Sequence, residues 1–307
     1  MGDNETLAVN APMGDAAQPK PKGRGFDMDK AMALLKVPEV QAGLLMTAVL
    51  LPMFWNLILR LPELWFDAES YYQHGPIVPL AAGYIIYKRW DRINATAPRP
   101  TWLPLLLLAP LLFLVAVAAR TNMMGVASGS LIFVLILISW ALFGGRWAWK
   151  MLPAPLFLSF ALPFWNGLID KYTLNLQILS TDGSYQFLKL LGMQPFRQGP
   201  TVIQLPKFSL NIAAECSGMK MTLAMIACVV FISLVANIKW WGKMLLAVLA
   251  IPLSVAMNSL RIGLIGVFGN EMGHEAGMWF HDYGSYGVLA LSFYILYKVA
   301  QKLGWDA

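Results

Sequence analysis

The chain has 307 residues, of which 58% are hydrophobic and 13% charged, with a mean hydropathy of +0.57. That balance excludes a soluble enzyme and points to a polytopic membrane protein of one domain. The net charge of +6 does not argue for nucleic acid, because the basic residues gather in short loops between apolar stretches, the positive-inside bias. Two cysteines, Cys216 and Cys228, exclude a disulfide framework. Both fall on one expected helix, about 18 Å apart at 1.5 Å per residue, too far to bridge.

Residues 1–36 are polar and rich in Gly, Pro and Ala, with five basic and five acidic residues. They read as a disordered cytoplasmic tail. The first apolar stretch begins too late for a signal peptide, and Met1 to Thr6 fits an N-myristoylation pattern that only eukaryotic cells read. Residues 37–307 read as an all-α transmembrane domain of about eight helices. The expected spans are Val40–Leu59, Pro76–Tyr87, Trp102–Ala119, Val126–Phe143, Leu152–Leu168, Met219–Ala236, Leu245–Ile265 and Tyr283–Val299. Lys88, Arg89, Arg92, Arg146, Lys150, Lys239, Lys243, Lys298 and Lys302 mark the inner face. Both termini are therefore expected in the cytoplasm of a cell whose plasma (inner) membrane carries the chain. Trp90, Trp102, Trp147, Trp149, Trp240 and Trp241 fall at the inner ends, as an aromatic belt would.

Between the fifth and sixth spans, residues 170–215 are not lipid-like and read as a small extracytoplasmic cap. Tyr172, Leu176, Leu179, Tyr185, Phe187, Leu188 and Leu191 suggest one or two amphipathic helices. Phe196–Ile212 alternates around Gly199-Pro200 and Pro206, which reads as a hairpin leading to Cys216. Such a strand could hold an extended peptide by edge pairing; a packed cap without a substrate role fits the sequence equally.

Three polar residues stand near the outer ends of three expected spans. Cys216 lies in Ala213-Ala214-Glu215-Cys216-Ser217-Gly218, at a helix start whose unpaired N–H groups favour a thiolate, while Glu215 opposes a second negative charge. Arg261 follows Asn258 by three residues, on the same helix face. A guanidinium there could bind an oxyanion or a carboxylate, and cannot act as a base. His281 directly precedes the last span and could activate the thiol and protonate a leaving amine. His274 and His74 are the other histidines; His274-Glu275 begins like a zincin motif but Met278 stands where the second histidine is needed. There is no Gly-x-Ser-x-Gly, no P-loop, no metal set and no cofactor motif, so no metal or cofactor is expected. Cys228, by contrast, reads as a structural mid-span cysteine.

With these motifs the chain resembles the exosortase/archaeosortase family of membrane transpeptidases. The resemblance rests on Glu215-Cys216-Ser217-Gly218, on Asn258 to Arg261-Ile262, on His281 to Gly284, and on Ser70-Tyr71-Tyr72-Gln73-His74-Gly75, where Gln73 replaces the family's usual serine. It spans roughly Trp65 to Tyr297. The resemblance implies catalytic Cys216, Arg261 and His281, with Glu215, Ser217, Asn258 and His74 in support. It implies cleavage, at the outer (periplasmic) face, of exported proteins bearing a C-terminal sorting signal, a transmembrane helix and a basic tail, of which PEP-CTERM is the best known. A thioester on Cys216 would pass to an unknown acceptor. Expected partners are thus such exported proteins and membrane lipid, and no nucleic acid. Two rivals remain: a non-enzymatic transport or polysaccharide-export component, in which Arg261 and His281 line a solute path, and a membrane protease that hydrolyses without transfer.

Overall fold

The computed structural model describes residues 36–305 together with Asp29, Met32 and Ala33. Nearly all of the expected tail, and the whole Met1 to Thr6 pattern, lie outside the described residues. The chain is an all-α polytopic membrane protein with a small sheet. Helices α1 (Pro38–Leu50) and α2 (Trp55–Phe66) are joined by a 3-10 turn, Leu51–Phe54; Pro52, which lacks an N–H, stands in that turn. Helix α3 covers Ile77–Asn94, α4 Leu103–Thr121 and α5 Met124–Phe143. Two short helices follow, α6 (Gly145–Met151) and α7 (Pro153–Phe157). After two 3-10 turns comes α8, Asn166–Leu190.

Strands β1 (Phe196–Arg197), β2 (Val202–Gln204) and β3 (Ser209–Asn211) form an antiparallel sheet in the order β1-β2-β3. Then come α9 (Met219–Val235), α10 (Trp240–Met272), α11 (His274–Trp279), a π-helical turn over Phe280–Gly284, and α12 (Ser285–Lys302).

Among the described residues, five helical stretches are long and apolar enough to cross a membrane: Val40–Phe66, α4, α5, Ala214–Val235 and α10. A sixth arises if Gly145–Ala161 and Pro163–Leu190, bent by 76°, count as one crossing. Pro163, which lacks an N–H, stands at that bend. The α3 helix falls short because Lys88, Arg89, Asp91 and Arg92 occupy its last two turns, and α12 because Lys298, Gln301 and Lys302 end it.

The region expected as one or two amphipathic helices is a single helix of 25 residues, α8, which packs along α10. One expectation is revised. The seventh expected span, Leu245–Ile265, is the middle of a helix of 33 residues, so Arg261 stands eleven residues before the helix end at Met272. The aromatic belt divides as well. Trp102, Trp149 and Trp240 are exposed, but Trp90 and Trp147 are buried, with Trp147 stacked on Phe143 at 3.7 Å. Ring–ring packing between α3, α5 and α6 holds these two away from the lipid.

Three apolar clusters position the site. One joins Ile85 of α3 and Phe157 of α7 to Leu223 of α9. A second is built on Met225, Leu246 and Leu296, all with no exposed surface, from α9, α10 and α12. In the third, Ile203, Leu205 and Leu210 of the sheet region pack on Leu188 of α8 and Ile262 of α10, with Cys216 at its margin. The α8–α10 contact uses small polar residues, as helix pairs in membranes do. A Cβ on Gly183 would lie 2.2 Å from Ser259 Oγ, and Ser184 donates to the Ser259 carbonyl at 3.0 Å.

Candidate active site

The turn that carries Cys216 is fixed by its own backbone. Ala214–Cys216 forms one 3-10 turn, and Gly218 at φ +90° starts α9. A side chain at 218 would be strained at that φ, and its Cβ would come within 2.8 Å of Asn258 Nδ2. The glycine thus lets the turn sit directly on Asn258. Ser217 is fully buried; its Oγ accepts from the Met219 N–H at 3.3 Å, and its carbonyl accepts from Ser180 at 3.1 Å. Ser217 therefore holds the turn and does not face the thiol.

From this turn a closed circuit of contacts runs through three elements. Asn258, with no exposed surface, donates from Nδ2 to the Cys216 carbonyl at 3.0 Å. Its Oδ1 accepts from Arg261 Nη1 at 3.3 Å. Arg261 Nε donates to Ser285 Oγ at 2.7 Å, and Ser285 donates to the His281 carbonyl at 2.6 Å. His281 Nε2 closes the circuit, 3.4 Å from Cys216 Sγ. On the other side of the ring, His281 Nδ1 lies 2.9 Å from Asp282 Oδ1. An ionised carboxylate only accepts, so Nδ1 carries the proton and Nε2 faces the thiol as acceptor. The hydrogen bond to Cys216, and then that to Asp282, raise the His281 imidazole above its ordinary value; burial and the Arg261 guanidinium oppose the rise. A thiol, an acceptor nitrogen and a guanidinium in one cluster are sufficient for nucleophilic acyl transfer.

His281 and Asp282 stand in the π-helical turn, a rare geometry that recurs at functional sites. There the Phe280 ring stacks on Phe268 of α10 at 4.8 Å, which seats the turn against the helix that carries Arg261.

The remaining expected residues divide. Glu215 forms no side-chain hydrogen bond among the described residues, and Lys220 and Tyr71 lie within reach of its charge. His74 does not reach the thiol. It bonds the Phe160 carbonyl, and burial pushes its imidazole down to about 4, so it is neutral at pH 7 and belongs to the packing of the Ser70–Gly75 turn. In that turn a Cβ on Gly75 would overlap the Trp65 indole at 2.2 Å, while Trp65 Nε1 donates to the Ala161 carbonyl at 2.8 Å. His274 is exposed, 5.8 Å from the Phe208 ring.

Three residues at the site went unnoticed in the sequence. Asp282 could have been suspected from its place beside His281, and Ser285 from standing one helical turn beyond it. The third, Lys220, stands four residues after Cys216; its Nζ donates to the Ala68 carbonyl, and the charges of Cys216, Arg261 and Glu215 act on it.

Comparison with curated proteins and with solved structures finds no match to this chain. A sequence model described as Transmembrane exosortase (Exosortase_EpsH) matches residues 65–298. That span is more than half of the chain and takes in every contact of the circuit, so the chain belongs to the transmembrane exosortase family.

Proposed function

We propose that the chain is a cysteine transpeptidase that cleaves the C-terminal sorting signal of exported proteins at the outer face of the membrane. The observation that carries this reading is the 3.4 Å approach of His281 Nε2 to Cys216 Sγ, within a circuit that also fixes Arg261. The thiol proton passes to Nε2 as sulfur attacks the scissile carbonyl carbon. Negative charge gathers on the carbonyl oxygen, where the guanidinium protons of Arg261 not engaged by Ser285 and Asn258 supply donors. As the C–N bond breaks, the leaving amine takes the proton back from Nε2, and a thioester remains on Cys216. An acceptor nucleophile, delivering its proton to Nε2, then releases the product and restores the thiol. Asp282 holds the ring in the tautomer this sequence needs.

A reporter bearing a short motif, a transmembrane helix and a basic tail, co-expressed with this chain, tests the reading. Loss of the tail that depends on Cys216 supports it, and unchanged tail loss with Cys216→Ala overturns it. Mass spectrometry of the new C-terminus separates transfer from hydrolysis: a free carboxyl end means water was the acceptor.

The same reading has eight crossings in the inner membrane, residues 1–36 and the C-terminus in the cytoplasm, and residues 170–215 outside as a cap. Its support is the alternation of basic loops, with α3 and α12 as the less apolar crossings. Reporter fusions after Lys88, Lys150, Lys239 and Lys302 read inside and a fusion near Gln198 reads outside; an outside signal at Lys239 sinks this topology.

A further inference from the structure

The β3 strand ends five residues before Cys216, and the ladder fixes which way its main chain faces. Leu205 donates to the Phe208 carbonyl at 2.8 Å, and Ile212 to the Thr201 carbonyl at 2.9 Å. With the register Ile203↔Leu210, the positions that face each other across the ladder bonds are 205/208, 203/210 and 201/212, because such positions alternate along an antiparallel pair; the Ile212 carbonyl accepts from Gln177 of α8. Ser209 and Asn211 therefore point their N–H and C=O groups away from β2. Ala213, extended at φ −73° and ψ 166°, continues the alternation and points its N–H the same way, while its carbonyl accepts from the Cys216 N–H at 3.0 Å. All three residues are exposed, and β2 is the only strand beside β3 among the described residues.

Protein chains normally protect such an edge with charge, proline or a covering element. The opposite edge of this sheet is protected: β1 carries Arg197, ion-paired with Asp182. On β3 the edge residues are Ser209, Asn211 and Ala213, small and uncharged. Four residue steps at roughly 3.3 Å give an edge of about 13 Å, enough for four or five residues of an extended peptide. Its far end delivers directly into the Cys216 turn. A cavity of about 460 Å³ does exist, but it is lined by Phe133, Phe157, Phe160 and Val230 among others. Val230 stands fourteen residues along the chain from Cys216, and that apolar lining has little to offer a peptide main chain.

We infer that the free edge of β3, continued through Ala213, binds the substrate as an added extended strand that runs up to Cys216, so that peptide main chain more than a side-chain pocket is what the enzyme grips. This rests on the reading of Cys216 as the nucleophile. It predicts an alternating pattern, because only every second residue of an added strand faces β3.

The test uses the full chain in detergent or liposomes, with peptidyl chloromethyl ketones as probes that alkylate Cys216. A penta-alanyl ketone should alkylate Cys216 much faster than a single-residue acetyl-alanyl ketone, when both rates are divided by the iodoacetamide rate. N-methylation of the peptide, one position at a time, should slow alkylation about five- to tenfold at alternate positions, and less than twofold between them, as the loss of single hydrogen bonds would. A flat profile, or no gain from lengthening the peptide, overturns the inference. Asn211→Pro removes an edge donor without touching a β2 ladder bond, and should abolish the gain from length while iodoacetamide still labels Cys216. Should that variant misfold, the methyl scan on the unaltered chain decides alone. Alternation without any tail processing would refute the transpeptidase reading and keep the strand; processing with a flat scan would do the reverse.

Discussion

Cys216 and Cys228 stand twelve residues apart at the head and the middle of the same apolar helical stretch, Ala214–Val235. Cys228 packs against the cluster of Met225, Val229 and Leu246, with helix backbone bonded on both sides. Cys216 sits in the 3-10 turn before the helix proper, with His281 Nε2 at 3.4 Å and Asn258 on its carbonyl. One residue type on one helix thus meets two environments. A helix end exposes unsatisfied backbone groups that must find polar partners, and mid-helix residues carry no such demand. A reactive group in a membrane protein is therefore most readily built where a helix begins.

The largest effect that could break this comparison is on the two thiols themselves. Cys216→Ala should bring tail processing below detection, and Cys228→Ala should leave it within about twofold, since among the described residues Cys228 packs against an apolar cluster with no proton-transfer partner; equal losses measured on a reporter blot would erase the distinction. Next comes the proposed base. His281→Ala should lose roughly 100- to 10,000-fold in rate, while His274→Ala, exposed beside Phe208, should stay near the parent rate. If His274→Ala proves the more damaging, the 3.4 Å contact is not the catalytic one. Arg261→Ala and Arg261→Lys should each cost about 100- to 1,000-fold, because an ammonium cannot hold Ser285 and Asn258 and still offer a forked donor. Activity of Arg261→Lys close to the parent would remove the guanidinium from the mechanism.

Asp282→Asn is the smallest and the most diagnostic. Its carboxylate is partly solvent-exposed, 56% by side chain, so the rate should fall only about tenfold, the worth of one charge-assisted hydrogen bond. The pH profile carries the sign. On the proposed mechanism the imidazole must be neutral to take the thiol proton, so activity falls as pH falls through the His281 value, which Cys216 and Asp282 hold above the ordinary one. Removing the Asp282 charge lowers that value and moves the acid limb to lower pH. An acid limb that stays in place with the rate reduced would make Asp282 a structural residue only.

Much of the architecture was legible in the chain. Apolar stretches of membrane length, basic loops and proline positions located α4, α5 and α9 closely, because lipid forces every backbone polar group into internal pairing and leaves helices as the solution. The ends of elements were less legible. Helix α10 runs past Ile265 because Gly266 and Gly269 receive Leu210 and Phe208 of the sheet region, a tertiary contact with no local signal. Trp90 and Trp147 carry the composition of an interface belt, and only the approach of α3 to α6 buries them.

At the site, the sequence by itself determined the chemical inventory: a cysteine at a helix start, an arginine one turn beyond an asparagine, a histidine before the last helix. Residue type and helical spacing set these, since i and i+3 share a face wherever the helix lies. What only the tertiary structure decided is which histidine meets the thiol, that His74 is neutral and engaged elsewhere, and that Ser285 and Asp282 join the cluster. These depend on α9, α10 and the turn before α12 meeting at one point, with residues 65 positions apart in the chain brought to hydrogen-bond distance. Helix packing through Met225, Leu246 and Leu296 and the conformation of the Phe280–Gly284 turn set that meeting, and neither has a period that can be read along the sequence.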